Sequence, residues 1–225
     1  MAILSIIVPV YNEIKTIKEI VEKLKALAID KEILIVNDGS TDGTERVLQR
    51  ISGTEIKIIH HSVNRGKGVA VRTGIMQAKG DFIIAQDADL EYDPRDYLTL
   101  LDAITVERAD LVLGVRFTNQ YHGLFIPMLG NRILTALVNL LFGSKLNDVM
   151  TCYKLIRRST FDALGLVSRG FDIEVEFIAK ALKNKLVIKE VPVSYAPRNY
   201  SQGKKIRIYD GLVAIVSILK HRFAR

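Results

Sequence analysis

The sequence predicts an α/β fold with a mostly parallel central sheet flanked by helices, and three features of the chain predict it. Short β-branched apolar runs alternate with amphipathic stretches through the first half, the order expected of successive βα units. The runs are apolar almost throughout, which suits strands covered by helices on both faces. Right-handed crossovers then bring the strand ends to one edge, where ligands of open α/β sheets bind.

Taken in order, Leu4 to Pro9 reads as the first strand and Glu13 to Ala28 as the helix that returns the chain. Glu32 to Asn37 follows as a strand, with Ser40 or Thr41 placed to cap a helix over Asp42 to Ile51. Ile56 to His61 and Gly68 to Ala78 form the third unit, Phe82 to Gln86 and Pro94 to Thr105 the fourth, and Leu111 to Val115 the fifth strand. After that the rhythm breaks. Leu124 to Phe142 is strongly apolar with Arg132 as its only charge, and Gly211 to Leu219 is an apolar run inside a basic tail. Neither is a convincing bilayer span, which needs about 20 apolar residues. Both are read either as core helices or as helices lying along a membrane surface.

The 225 residues, 48% hydrophobic and 25% charged, suit one folded domain and argue against long disorder. Cys152 is the only cysteine, which excludes an internal disulfide, a cysteine-built zinc site and a redox pair; it is expected to be a small buried hydrophobe. The chain opens on the strand-like Ile3 to Val8 rather than on a basic stretch and an apolar leader, so the cytoplasm is the expected compartment. The formal charge is +7, and from Arg198 onward seven basic residues face one acid, Asp210. A basic tail on a nearly neutral body points to an anionic partner: a phosphate, an acidic membrane surface or nucleic acid.

Four constellations carry chemistry. Asp87, Asp89 and Glu91 follow a buried strand and, in extended chain, would share a face. Such carboxylates suit Mg²⁺ or Mn²⁺, with diphosphate oxygens completing the shell. In Val36 to Asp42, small turn residues let backbone approach a ligand while Asp38 offers an acceptor to a base N–H; the alternative is an ordinary βα turn. Asn64-Arg65-Gly66-Lys67-Gly68 opens a helix whose amides would favour a phosphate, although it is neither a Walker A loop nor a complete dinucleotide fingerprint. Pro9 to Glu13 places Tyr11 to pack on a base and Glu13 either to bind ribose hydroxyls or simply to serve as a first-turn acid.

Together these segments resemble glycosyltransferase family 2, of GT-A fold, and within it the polyprenyl-phosphate hexose synthases that include the dolichyl-phosphate mannose synthases. The likeness extends through Gly114-Val115-Arg116, Gly130-Asn131-Arg132, Asp148 to Lys154, Gly170-Phe171-Asp172 with Glu174 and Glu176, and Val191 to Arg198, and so covers nearly the whole chain. It implies a single Rossmann-like domain, with residues 1–116 a nucleotide-sugar-binding half and 117–225 an acceptor-binding half. Pro9, Tyr11, Glu13, Asp38, Lys67 and Ala88 would hold the donor, and Asp87, Asp89 and Glu91 the metal. Arg116, Arg132, Arg198 and Lys205 would surround the acceptor phosphate, where the planar arginine fork is an advantage. Relatives often carry a hydroxyl in the Gly-x-Ser-Lys run that here reads Gly203-Lys204-Lys205.

The implied reaction is inverting transfer of a hexose from a donor of GDP-mannose or UDP-glucose type to a polyprenyl phosphate, with Asp89, Arg116 and Asp148 at its centre. A hydroxyl acceptor would instead need a general base, with Asp148, Asp172 and Glu174 as candidates. Membrane contact is expected to be peripheral. A nucleic-acid-binding module is the rival of another class; it is disfavoured because the positive charge lies beside an apolar helix rather than among interleaved aromatics.

Overall fold

The computed structural model describes residues 4–116, 125–199, 203, 205 and 208–223. Seven strands form one sheet: β1 (Leu4–Val10), β2 (Lys31–Asp38), β3 (Ile56–His61), β4 (Phe82–Ala85), β5 (Leu111–Val115), β6 (Lys154–Arg157) and β7 (Ile188–Pro192). Their order across the sheet is β3-β2-β1-β4-β6-β5-β7. All pairings are parallel except those of β6, which runs against both β4 and β5. The helices are α1 (Ile17–Lys25), α2 (Thr44–Leu48), α3 (Lys67–Ile75), α4 (Tyr97–Val106), α5 (Phe125–Phe142), α6 (Arg158–Leu164), α7 (Ile173–Lys183) and α8 (Ile208–Phe223).

The continuous apolar strands are buried on both sides, as their composition requires. In β1, Leu4, Ile6, Val8 and Val10 join the core packed on α1 and α4, while Ile7 joins the opposite core packed on α3, α5, α6, α7 and α8. The period-2 alternation repeats in β2, where Ile33 and Ile35 face one core and Leu34 the other.

The five expected strands and four expected helices are all present, the helices shorter than the sequence indicates. The segment from Pro94 begins as a 3₁₀ turn over Pro94–Asp96 before α4. β6, β7, α6 and α7 are structure that the pattern did not reveal. Leu124 lies outside the described residues, but the rest of the apolar stretch is α5, and Gly211 to Leu219 lies within α8. No described helix is long and apolar enough to cross a membrane.

Candidate active site

The carboxyl ends of β1, β2 and β4, with the segments that follow β5 and β7, enclose a cavity of about 540 Å³. Its wall includes Pro9, Tyr11, Glu13, Asp38, Lys67, Asp87, Ala88, Asp89, Glu91, Arg116, Arg198 and Lys205. Twelve residues that the sequence singled out are thus brought together from positions spread over the chain.

The turns after β1 and β2 are stitched to one another. Ser40 Oγ accepts from Asn12 N at 3.0 Å, Asn12 Oδ1 accepts from Thr41 N at 2.8 Å, and Thr44 Oγ1 accepts from Glu13 N at 3.0 Å. Asp38 is 3% exposed and already engaged. Its Oδ1 accepts from Arg65 N at 2.9 Å and lies 2.6 Å from His61 Nδ1, and its Oδ2 accepts from Gly66 N at 2.8 Å. Asp38 therefore draws the 64–66 loop onto the end of β2. Gly66 has φ 95°, and a Cβ there would collide with the carbonyl of Arg169, so the loop closes only because this position is glycine. The closure lets Gly68 N donate to Arg169 O at 2.8 Å and sets Lys67 on the cavity wall.

Beyond β4 the extended chain does not persist. The strand ends at Ala85, Ala88 and Asp89 form a turn, and Leu90 takes φ 65°. Asp87, Asp89 and Glu91 all border the cavity, but Glu91 is already engaged: Tyr195 donates its hydroxyl to Oε2, and Arg198 N donates to Oε1 at 2.9 Å. The three carboxylates therefore do not share one face of extended chain, as the sequence had suggested. Among the described residues no three acids, histidines or cysteines converge as a ligand cage.

Two carboxylates still fit a hard cation, which commonly takes only one or two from the protein and the rest from substrate phosphate and water. The electrostatics agree. Burial, and then the adjacent charges of Asp87 and Glu91, push Asp89 up to about 7, with Arg198 only partly offsetting them. An anionic cluster of this kind is relieved by positive charge, and here cationic side chains supply it. Lys67 Nζ lies 2.7 Å from Asp87 Oδ1, and Arg198 lies 3.1 Å from both Asp89 and Glu13. Lys205 lies 2.6 Å from Glu13. Burial raises the Glu13 carboxyl, but its bonds with Arg198 and Lys205 prevail and hold it below the usual glutamate range.

Arg116 meets Asp148 through two guanidinium bonds, Nε to Oδ2 at 2.7 Å and Nη2 to Oδ1 at 2.8 Å, and lies 5.2 Å from the centre of the Tyr195 ring. Asp148 is fully buried and stands behind Arg116 rather than on the cavity wall. Arg132 is not brought in either: it is exposed on α5, one residue from the inward-facing Asn131. Glu174 is 7% exposed, lies 3.0 Å from Lys67 and is paired on its other side with Lys154. Cys152 is buried as expected and also borders the cavity.

Several participants were not assigned from the sequence. Tyr92, Met150 and Tyr195 line the cavity, and Lys154 stands behind Glu174. Their signal was faint: Lys154 and Tyr195 fall inside recognised motifs, but nothing in residue type or spacing marks a lysine in a buried strand as part of a site.

Residues 5–165 match the family model of Glycosyl transferase family 2. Over 196 residues the chain is 31% identical to glycosyltransferase AglJ of Haloferax volcanii, an alignment covering 86% of this chain and 63% of that protein. It is 26% identical over 231 residues to the dodecaprenyl-phosphate galacturonate synthase of Rhizobium johnstonii, covering 97% of this chain and 68% of that one. The chain thus spans under two thirds of the first relative's length and little more of the second's. In fold it is similar to glucosyl-3-phosphoglycerate synthase from Mycobacterium tuberculosis in complex with Mn²⁺, UDP and phosphoglyceric acid. That likeness has a TM-score of 0.75 at 20% identity and covers 100% of this chain and 80% of the other.

Proposed function

This chain belongs to glycosyl transferase family 2, and from that premise we propose that it moves a hexose, with inversion, from a nucleotide-sugar donor of GDP-mannose or UDP-glucose type to a polyprenyl phosphate. The observation that carries the acceptor class is the state of the acids that a hydroxyl acceptor would require as base. Asp148 is gripped by both arms of Arg116, and Glu174 lies between Lys67 and Lys154. Asp172 Oδ1 accepts from Gly170 N at 3.1 Å, and the residue is off the cavity wall. A phosphate acceptor needs no base, since a phosphomonoester with a second pKa of about 6 is already a dianion near neutral pH.

In this reading the nucleoside lies along Pro9, Tyr11 and Glu13, with Asp38 completing the wall. Lys67 faces the donor phosphates, and Arg116 and Arg198 receive the acceptor phosphate. An acceptor oxygen attacks the anomeric carbon as the bond to the donor's terminal phosphate breaks on the opposite face. A divalent cation of the Mg²⁺ or Mn²⁺ kind, held by Asp87 and Asp89, would neutralise charge on the leaving diphosphate. Arg198, now shared between Glu13 and Asp89, is a mobile counter-charge in this scheme: it leaves those acids as the donor enters and turns to the acceptor.

A lipid acceptor is also supported by the outer faces of α5 and α8, which pack on one another. Ile126, Leu129, Ile133 and Leu140 are exposed along α5, and Tyr209, Leu212, Val216, Leu219 and Phe223 along α8, at the three-, four- and seven-residue intervals of one helix face. Arg132, Lys220 and Arg222 flank these stripes, and Asp210 is the one acid in either helix. Apolar stripes edged with basic residues suit peripheral contact with an anionic membrane.

Incubation with undecaprenyl or dolichyl phosphate, Mg²⁺ or Mn²⁺ and radiolabelled GDP-mannose, UDP-glucose or UDP-N-acetylglucosamine tests the proposal. An alkali-resistant or labile lipid-linked sugar is the expected product. Transfer to a free sugar or glycan hydroxyl with no lipid product would overturn the acceptor assignment.

A further inference from the structure

From the donor wall a chain of alternating charge runs inward, and its inner members, Glu174 and Lys154, have no part in the reaction scheme. Asp87 pairs with Lys67 at 2.7 Å, Lys67 with Glu174 at 3.0 Å, and Glu174 with Lys154. The four residues come from different parts of the fold: the turn after β4, the start of α3, the first turn of α7, and β6. Exposure falls along the chain, from 25% for the Asp87 side chain and 12% for Lys67 to 9% for Glu174 and 4% for Lys154. Lys154 does not border the donor cavity, and its ammonium also donates to the carbonyl of Thr151. A fully buried lysine is expensive to desolvate, and apolar residues of similar volume commonly replace such pairs without loss of stability. Its presence in a buried strand therefore asks for a role other than packing.

We propose that Lys154 is a positioning residue for donor binding. It carries half of the Glu174 charge, and so leaves the Lys67 ammonium free to stay on Asp87 at the edge of the diphosphate site. Glu174 has two oxygens, one on each lysine, and this division is what holds Lys67 between two acids. Without Lys154 the whole carboxylate charge falls on Lys67 and draws it inward. Asp87 then faces Asp89 and Glu91 without its counter-cation, and the donor phosphates lose the nearest positive charge. The relay rests on the donor assignment made above, and it assigns Glu174 a role as anchor rather than as general base.

The test uses the whole chain, with UDP and GDP, each with Mg²⁺, as probes in calorimetry. Lys154→Met is expected to weaken binding of whichever diphosphate the wild-type protein takes by about 10-fold. Its acceptor KM is expected to stay within about twofold, a split that a merely structural defect would not produce. Adding Glu174→Gln removes the unbalanced charge while keeping an oxygen for Lys67, and is expected to bring affinity back to within about threefold of wild type. Unchanged diphosphate affinity in Lys154→Met, or a double variant as weak as the single one, overturns the relay. Should Lys154→Met alone fail to fold, the double variant is compared with Glu174→Gln. Equal affinities support the relay, and a further fall on removal of Lys154 overturns it. A wild-type protein that binds neither diphosphate overturns the donor assignment together with the relay, whereas wild-type binding with unaffected variants overturns the relay alone.

Discussion

The two strands that flank β1 both lead into acids, Asp38 at the end of β2 and Asp87 and Asp89 just beyond β4, and the two sets are neutralised in opposite ways. After β2, Asp38 is satisfied from within its own neighbourhood, by two backbone amides of the 64–66 loop and by His61. After β4, Asp87 and Asp89 lean on cationic side chains from distant parts of the chain, Lys67 and Arg198, and Asp89 is still pushed up to about 7 by burial and its acidic neighbours. Neutral donors in a tight loop make a fixed structural bond set. Long cationic side chains are exchangeable, and an incoming cation or phosphate can take their place. In the reaction proposed above, the first turn serves as scaffold and the second as the binding site.

The largest expected effect tests the second turn. Asp89→Asn should lower kcat about 10³-fold or more while leaving Tm within about 2 °C, because it removes a carboxylate that the fold does not need. Steady-state rates and a melting curve on the same preparation check this, and a fall in Tm with kcat retained would reverse the roles of the two turns. Asp38→Ala should do the opposite. Two loop amides and His61 lose their acceptor, at a cost of roughly 2–3 kcal/mol. That corresponds to a Tm lower by about 4–12 °C. Donor KM should rise only as far as the 64–66 loop loosens.

Arg116→Lys tests the acceptor side. Exchanging a planar fork for a point charge should raise acceptor KM about 10-fold with donor KM nearly unchanged. Equal changes in both constants would deny Arg116 an acceptor role.

Glu176 offers the smallest and cleanest control, an acid buried away from the site. Burial raises its carboxyl, but bonds from Lys180 and from the backbone of Ser168 and Val167 outweigh that and hold it below the usual glutamate range. The folded state therefore binds fewer protons than the unfolded chain. The stabilisation is complete above pH about 4.5 and is lost as pH falls further through the lowered native value. Glu176→Gln should lower Tm at neutral pH by roughly 2–4 °C and flatten its decline below pH 4.5. An unchanged acid slope would place the acid-sensitive bonds elsewhere.

Legibility differed between the halves of the chain for physical reasons. β1, β2, β4 and β5 were readable because each is built on an apolar run, which burial on both faces requires, and the half-buried edge strand β3 because it keeps the rhythm of the βα units. α7 was hidden because Glu174 and Glu176 point inward on ion pairs, so its buried face does not look apolar. β6 was hidden because four residues bracketed by Lys154 and Arg157 carry no period. The membership of the cavity was largely visible, since the motifs mark strand ends. The extended Asp87-to-Glu91 face was not realised, because a turn at Ala88–Asp89 sends Glu91 to Tyr195 and Arg198.

The sequence by itself determined five of the seven strands, their burial by helices and the edge at which ligands gather, since hydrophobic period and turn residues are local and additive along the chain. Only the tertiary structure decided which charge meets which: that Arg116 is clasped by Asp148, that Arg198 bridges Glu13 and Asp89, and that Lys154 stands behind Glu174. Coulomb interactions in a buried site depend on distance and on exclusion of water, and both are set by how segments far apart in the chain are packed together.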